Sequence, residues 1–138
     1  MRPWAIRVYY EDTDLGGMVY HANYLRYMER ARTEWLRALG CEQDELKHTH
    51  RALFVVVNVE LEFKTPARFN DVLEVDVNVI EQGRASVVVE QHVFRRGPSS
   101  VQPTSWLCRG KIRIACVDAE TSYPRAIPDF LYAALIGD

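Results

Sequence analysis

The sequence predicts an α+β fold in which one antiparallel sheet wraps a single long helix. Three observations carry that prediction. Apolar residues between Ala22 and Leu39 recur at three-and-four spacing, the segments on either side alternate with period two, and the later segments are joined by connections of hairpin length. Hairpin-sized connections force antiparallel neighbours, because a parallel return needs a crossover of about a dozen residues or more. One amphipathic helix laid on one sheet buries both apolar faces.

The first segment, "PWAIRVYY", sets Trp4, Ile6, Val8 and Tyr10 on one side and Ala5, Arg7 and Tyr9 on the other, as in a half-buried strand. It ends at the acidic, glycine-rich "EDTDLGG". From Ala22 the period changes: Tyr24, Tyr27, Met28, Ala31, Trp35, Ala38 and Leu39 form one stripe, while Arg26, Arg30, Arg32 and Arg37 fall mostly on other faces. The helix is about 27 Å long at roughly 1.5 Å per residue, and Gly40 is its expected C-terminal stop. Glu42 to Arg51 reads as a polar linker.

Beyond it, "VNVELEF" places Val57, Val59, Leu61 and Phe63 opposite Asn58, Glu60 and Glu62, and "LEVDVNV" repeats the pattern from Leu73 to Val79. "ASVVVEQHVF" and "WLCRGKIRIACV" supply two more strands, the latter with Arg109, Lys111 and Arg113 on its polar face. Pro66 in "KTPARFND" and Gly83 in "EQGR" mark turns, and "RRGPSSVQP" is a longer connection. "PDFLYAALI" reads as a short terminal helix with Pro128 near its start. The order is one strand, one long helix and four strands, without internal repeats, so residues 1–138 are expected to form one domain.

Bulk properties bound the function. A chain of 138 residues with 48% hydrophobic and 26% charged residues can bury a sizeable core without disulfides or metal. Seventeen basic against nineteen acidic residues give a net charge of -2, which lends no support to nucleic-acid binding. Cys41, Cys108 and Cys116 form neither a paired framework nor a C-x-x-C motif, so free thiols in a reducing compartment are expected. No apolar run reaches the roughly 18 residues of a membrane span, and the first residues alternate where a secretion signal would be continuously apolar. The expected location is the cytoplasm.

Chemistry concentrates in "YYEDTDLGGMVYHANY", residues 9–24. Acidic residues between a strand and a helix serve turns and suit the positive end of the helix dipole. They also supply a carboxylate for catalysis: Gly16 and Gly17 let a ligand approach the backbone, and the helix N-terminus just beyond offers unpaired N–H groups. A carboxylate beside backbone donors is the minimum for hydrolysing a carbonyl compound, the donors stabilising the oxyanion. His21 stands near the first helical turn, whereas His48, His50 and His92 have no evident partners in the sequence. No G-x-S-x-G occurs, nor H-x-x-x-H spacing for zinc. "DTD" matches the Asp-x-Asp of magnesium-dependent phosphatases, but one helix followed by four strands is not their parallel scaffold.

The stretch "RVYYEDTDLGGMVYHANYLRYMERARTEWLR" resembles the hotdog-fold acyl-CoA thioesterases of the 4-hydroxybenzoyl-CoA thioesterase type, and is especially similar to the branch associated with the bacterial Tol-Pal system. "FVVVNVELEFKTPARFNDVLEV" and "CVDAETSYPRAIP" extend the likeness from about Arg7 to Ile127. The resemblance implies a five-stranded antiparallel sheet around the central helix, homodimers or homotetramers, and active sites at the dimer interface. It assigns the catalytic carboxylate to Asp14, with the backbone N–H near His21 polarising the thioester carbonyl, and Tyr10 and the His21 side chain also at the site. Asp12 is then structural. Gly17, Val19 and Tyr20 become substrate contacts, and Arg84 in "EQGRAS" matches a basic turn that holds coenzyme A phosphates in relatives. Lys64 and Arg68 are weaker candidates for the same duty.

An acyl-CoA thioesterase is therefore the expected function, without metal or redox cofactor and with Asp14 as nucleophile or general base. A binding protein for an acyl group, acyl carrier protein or an envelope complex is the competing reading. Hotdog dehydratases carry a histidine-containing Pro-Gly motif that is absent here.

Overall fold

The computed structural model describes residues 3–97 and 105–137. Strand β1 (Trp4–Arg7) leads through a single 3-10 turn at Tyr10–Asp12 to the long helix α1 (Asn23–Ala38). Helix α2 (Gln43–His50) follows, then β2 (Ala52–Phe63), β3 (Val72–Val75), β4 (Asn78–Gln82), β5 (Ser86–Arg95), β6 (Cys108–Asp118) and the terminal helix α3 (Asp129–Gly137). All strand pairs are antiparallel, in the order β1-β3-β5-β6-β2, with β4 paired to β5 beside that path.

The helix stripe read from periodicity is the buried one. Tyr24, Tyr27, Met28, Ala31 and Trp35 share one cluster with Leu73 and Val75 of β3, Val89 and Val93 of β5, and Ile112 and Cys108 of β6. Gly110 on β6 is where α1 comes closest: a Cβ there would lie 2.6 Å from Met28 Sδ. The expected helix, the alternating strands and the α+β hotdog architecture are all present.

Four local differences have physical causes. The residues read as a polar linker form α2, anchored by the buried Leu46 and ended by Arg51 in the left-handed region (φ 57°), whose N–H bonds to Leu46 O. The alternation from Leu73 to Val79 is interrupted, making six strands where five were expected. Asp76 accepts the His92 N–H with its own carboxylate, so the ladder breaks between β3 and β4. β2 begins at Ala52, five positions before the expected start, and a bulge at Val57 keeps Val56 and Val59 on the same face. β1 stops at Arg7, and Tyr10 belongs to the 3-10 turn. Of the long connection expected at "RRGPSSVQP", residues 98–103 lie outside the described part.

β2 is an outer strand of the sheet and leaves apolar side chains uncovered, with Val56 50% and Val57 53% exposed. No described helix is long and apolar enough to cross a membrane.

Candidate active site

The acidic stretch folds around Asp12. This residue is 8% exposed, and its two carboxylate oxygens accept the Tyr9 N–H and the Asn23 side-chain amide, each at 2.8 Å. Its carbonyl accepts the Tyr20 N–H at 2.9 Å. Asp12 therefore ties the segment just after β1 to the start of α1. A buried carboxylate held by donors from both sides of the turn is a structural clamp.

Asp14, two positions on, faces the other way. It is exposed, Oδ1 accepts the Gly16 N–H at 2.9 Å, and among the described residues Oδ2 has no partner. The intervening turn closes through Gly17 N–H to Asp14 O and Asp14 N–H to Met18 O. Gly17 sits at φ 75°, where a side chain would be strained. Val19 N–H then bonds to Ala67 O and Phe69 N–H to Gly17 O, which fastens the turn to the loop after β2.

Asp14 and His21 line one cavity of about 270 Å³ with Val19, Tyr24, Phe63 and Lys64. α1 starts at this cavity without a side-chain cap, and among the described residues no acceptor is found for the His21 N–H. A carboxylate lining one cavity with a residue at the helix start whose N–H has no acceptor among the described residues supplies the parts needed for attack on a carbonyl and for stabilising the resulting oxyanion. The buried Tyr24 adds a hydroxyl that accepts the Ala67 N–H at 3.0 Å, and burial pushes its pKa up while that bond acts the other way. Phe63 packs edge-on against Tyr24 at 5.5 Å and forms an apolar wall.

The structure thus brings together Asp14, His21 and Val19, with Gly17 shaping the turn. Tyr20 is half exposed and tilted against the His21 ring at 4.5 Å. Tyr10 is separate: its ring is 83% exposed, lies edge-on to Phe69, and does not line the Asp14 cavity of the same chain. Arg84 is farther still. The register pairs Phe63 with Cys108 but Ser86 with Ala115, so Ser86 lies about 23 Å along the sheet from the cavity end at roughly 3.3 Å per residue, and Arg84 lies in the turn before it.

Tyr24 and Phe63 were legible as core positions but not as cavity walls. Their shared face emerges only when the end of β2 is set beside the first turn of α1. Lys64, a weak candidate in the sequence, does reach the cavity. His92, without an evident partner in the sequence, lies 3.1 Å from Asp76 and 3.2 Å from Glu90, in an outer-face cluster away from Asp14.

A sheet wrapped on one helix, with a carboxylate at the helix entrance, defines a class of hotdog enzyme. The thioesterase-like superfamily profile matches residues 8–135, and the chain belongs to that superfamily. It is 40% identical over 129 residues to the acyl-CoA thioesterase YbgC of Haemophilus influenzae, covering 94% of this chain and 90% of that protein. The acyl-CoA thioester hydrolase YbgC of Escherichia coli is 38% identical over 130 residues, covering 94% and 92%. Among solved structures, a probable thioesterase from Bartonella henselae superposes with a TM-score of 0.81 at 32% identity, covering 91% of this chain and 98% of that one.

Proposed function

We propose that this single hotdog domain hydrolyses acyl-CoA thioesters at the Asp14 cavity. The chain is an acyl-CoA thioesterase. The observation that carries the assignment is the Asp14 carboxylate, one oxygen fixed by Gly16 and the other open among the described residues, in a cavity also lined by His21, whose N–H has no acceptor among them. Membership of the superfamily and the named activity of the relatives support it.

The thioester carbonyl oxygen points at the His21 N–H, which stabilises the charge that develops there; one such donor contributes about 3 kcal/mol. Asp14 Oδ2 either attacks the carbonyl carbon, giving an anhydride that water opens, or takes a proton from the attacking water. Both routes break the C–S bond, release coenzyme A and the free acid, and require no cofactor beyond the coenzyme A of the substrate. The His21 ring and Tyr20 flank the entrance, and Phe63 and Val19 bound the acyl side.

The exposed apolar edge of β2 supports assembly into homodimers or homotetramers, since a long apolar edge is otherwise an aggregation site. In such an assembly the exposed Tyr10 and the distant Arg84 serve a site shared between copies, with Arg84 of a second copy and Lys64 at the coenzyme A phosphates. Acyl carrier protein is a competing source of the thioester, and the setting is the cytoplasm.

The test is release of free thiol from short aliphatic, long aliphatic and aromatic acyl-CoAs. Turnover of at least one class is expected. Background rates with all of them, alongside intact coenzyme A binding, would replace the enzyme by an acyl-binding protein.

A further inference from the structure

A closed ring of hydrogen bonds holds the first turn of α1. Asp12 O accepts the Tyr20 N–H at 2.9 Å, Tyr20 O accepts the Asn23 N–H at 2.8 Å, and the Asn23 side-chain amide donates back to Asp12 Oδ1 at 2.8 Å. Asp12 and Asn23 are both buried, so water competes poorly for these groups. Asparagine is favoured at helix N-caps, where its oxygen accepts a backbone N–H. Here it stands one position later. The N-cap is Ala22, which has no side-chain oxygen to offer, and the Asn23 amide is engaged with Asp12 instead.

The ring dictates where the His21 N–H points. A trans peptide is planar, with its C=O and N–H directed oppositely, and no cis bond occurs among the described residues. The Tyr20 carbonyl turns into the helix to meet Asn23, so the N–H across the same peptide, which belongs to His21, turns out of it. Rotation of this one plane would put a carbonyl oxygen where the N–H had been. The bond from Tyr20 N–H to Asp12 O restrains the preceding peptide, not this one. What restrains this one is the Asn23 N–H, and the Asn23 side chain fixes that group relative to Asp12.

We propose that Asn23 is a positioning residue whose side chain, anchored on Asp12, locks the Tyr20–His21 peptide so that the His21 N–H faces the thioester carbonyl in the Asp14 cavity. The catalytic consequence rests on the thioesterase reading, whereas the lock is a property of the free protein. A donor fixed before the substrate arrives needs no reorganisation during the reaction, and a displacement of about 1 Å at such a group costs about 100-fold in rate. Tyr27 makes this role separable from stability. It is fully buried, its hydroxyl has no hydrogen-bond partner among the described residues, and burial, followed by the charge of Asp12, raises its pKa. That hydroxyl is a ready donor to Asp12 once the Asn23 amide is gone, which supports the fold without restraining the peptide.

The test compares the wild type, Asn23→Ala and Asn23→Ser. Nitrogen relaxation dispersion of the His21 amide, recorded without ligand, reads the peptide directly. The wild type should show one conformation and Asn23→Ala millisecond exchange or a displaced signal at His21. Asn23→Ser keeps a hydroxyl donor for Asp12 and should fall between them. Thiol release from the best acyl-CoA should show kcat lower by about 10- to 100-fold in Asn23→Ala, with KM within about three-fold and partial recovery in Asn23→Ser. A His21 amide unchanged in Asn23→Ala would overturn the lock, and kcat within about two-fold of the wild type would overturn the positioning role. If Asn23→Ala does not fold, Asn23→Ser decides both points. No turnover by the wild type on any acyl-CoA would remove the thioesterase reading and the positioning role with it, a failure distinct from that of the lock because the amide measurement needs no substrate.

Discussion

Replacing Asp12 by alanine should damage the fold far more than replacing its neighbour Asp14. Asp12 is buried, and its carboxylate accepts two hydrogen bonds at 2.8 Å from groups on either side of the turn, the Tyr9 N–H and the Asn23 amide. A hydrogen bond to a charged group contributes about 1.5–3 kcal/mol, and the alanine leaves both donors without their partner. Some of that loss is recovered as water enters near the surface, so about 3 kcal/mol is a reasonable net figure. For a chain of 138 residues, each kcal/mol moves Tm by about 4 °C, which places the expected fall near 10 °C. Asp12→Asn keeps one acceptor and should fall about half as far. Thermal melts followed by circular dichroism read the effect directly. An Asp12→Ala protein melting within about 2 °C of the wild type would refute the clamp, and with it the account of how β1 and α1 fix the position of Asp14.

Three other outcomes are expected. His21→Ala keeps the backbone N–H proposed to meet the thioester, so its kcat should fall by about ten-fold, much less than that of a variant lacking the Asp14 carboxylate, as steady-state thiol release would show. Val57→Lys places a charge on the exposed edge of β2 and should shift the protein toward monomer in light scattering with a parallel loss of turnover. Cys41, Cys108 and Cys116 are buried and free, and burial pushes the Cys41 thiol up to about 11 and the Cys108 thiol up to about 12. A thiol reagent at pH 8 should therefore label none of them in the native protein and all of them in denaturant, which leaves colorimetric detection of released coenzyme A unobstructed.

Much of this architecture is written in local pattern. The α1 stripe from Tyr24 to Trp35 and the alternation of β5 and β6 are each long enough for the period to be unambiguous, and the structure keeps them. Helix α2 was not legible because "QDELKHTH" has one apolar residue, Leu46, and no stripe; its helicity comes from seating Leu46 in the core. The break between β3 and β4 was hidden for the opposite reason. Alternation runs straight through Asp76, and only the side chain's capture of the His92 N–H, sixteen positions away, stops the ladder. At the site, the two acidic residues looked alike until the fold turned Asp12 inward and Asp14 outward. The buried Arg32 depends on a long-range neighbour, Gln91, that no local spacing signals.

The measurement that bears most directly on the central claim is kcat of wild type and Asp14→Asn on the best acyl-CoA, with Tm recorded on the same samples. The substitution keeps the size but removes the charge that, in the proposed mechanism, attacks the carbonyl or activates water. A loss of about a thousand-fold or more in kcat, with Tm within about 2 °C of wild type, is the result expected from the proposed mechanism. Equal turnover by the two proteins would remove Asp14 from the chemistry.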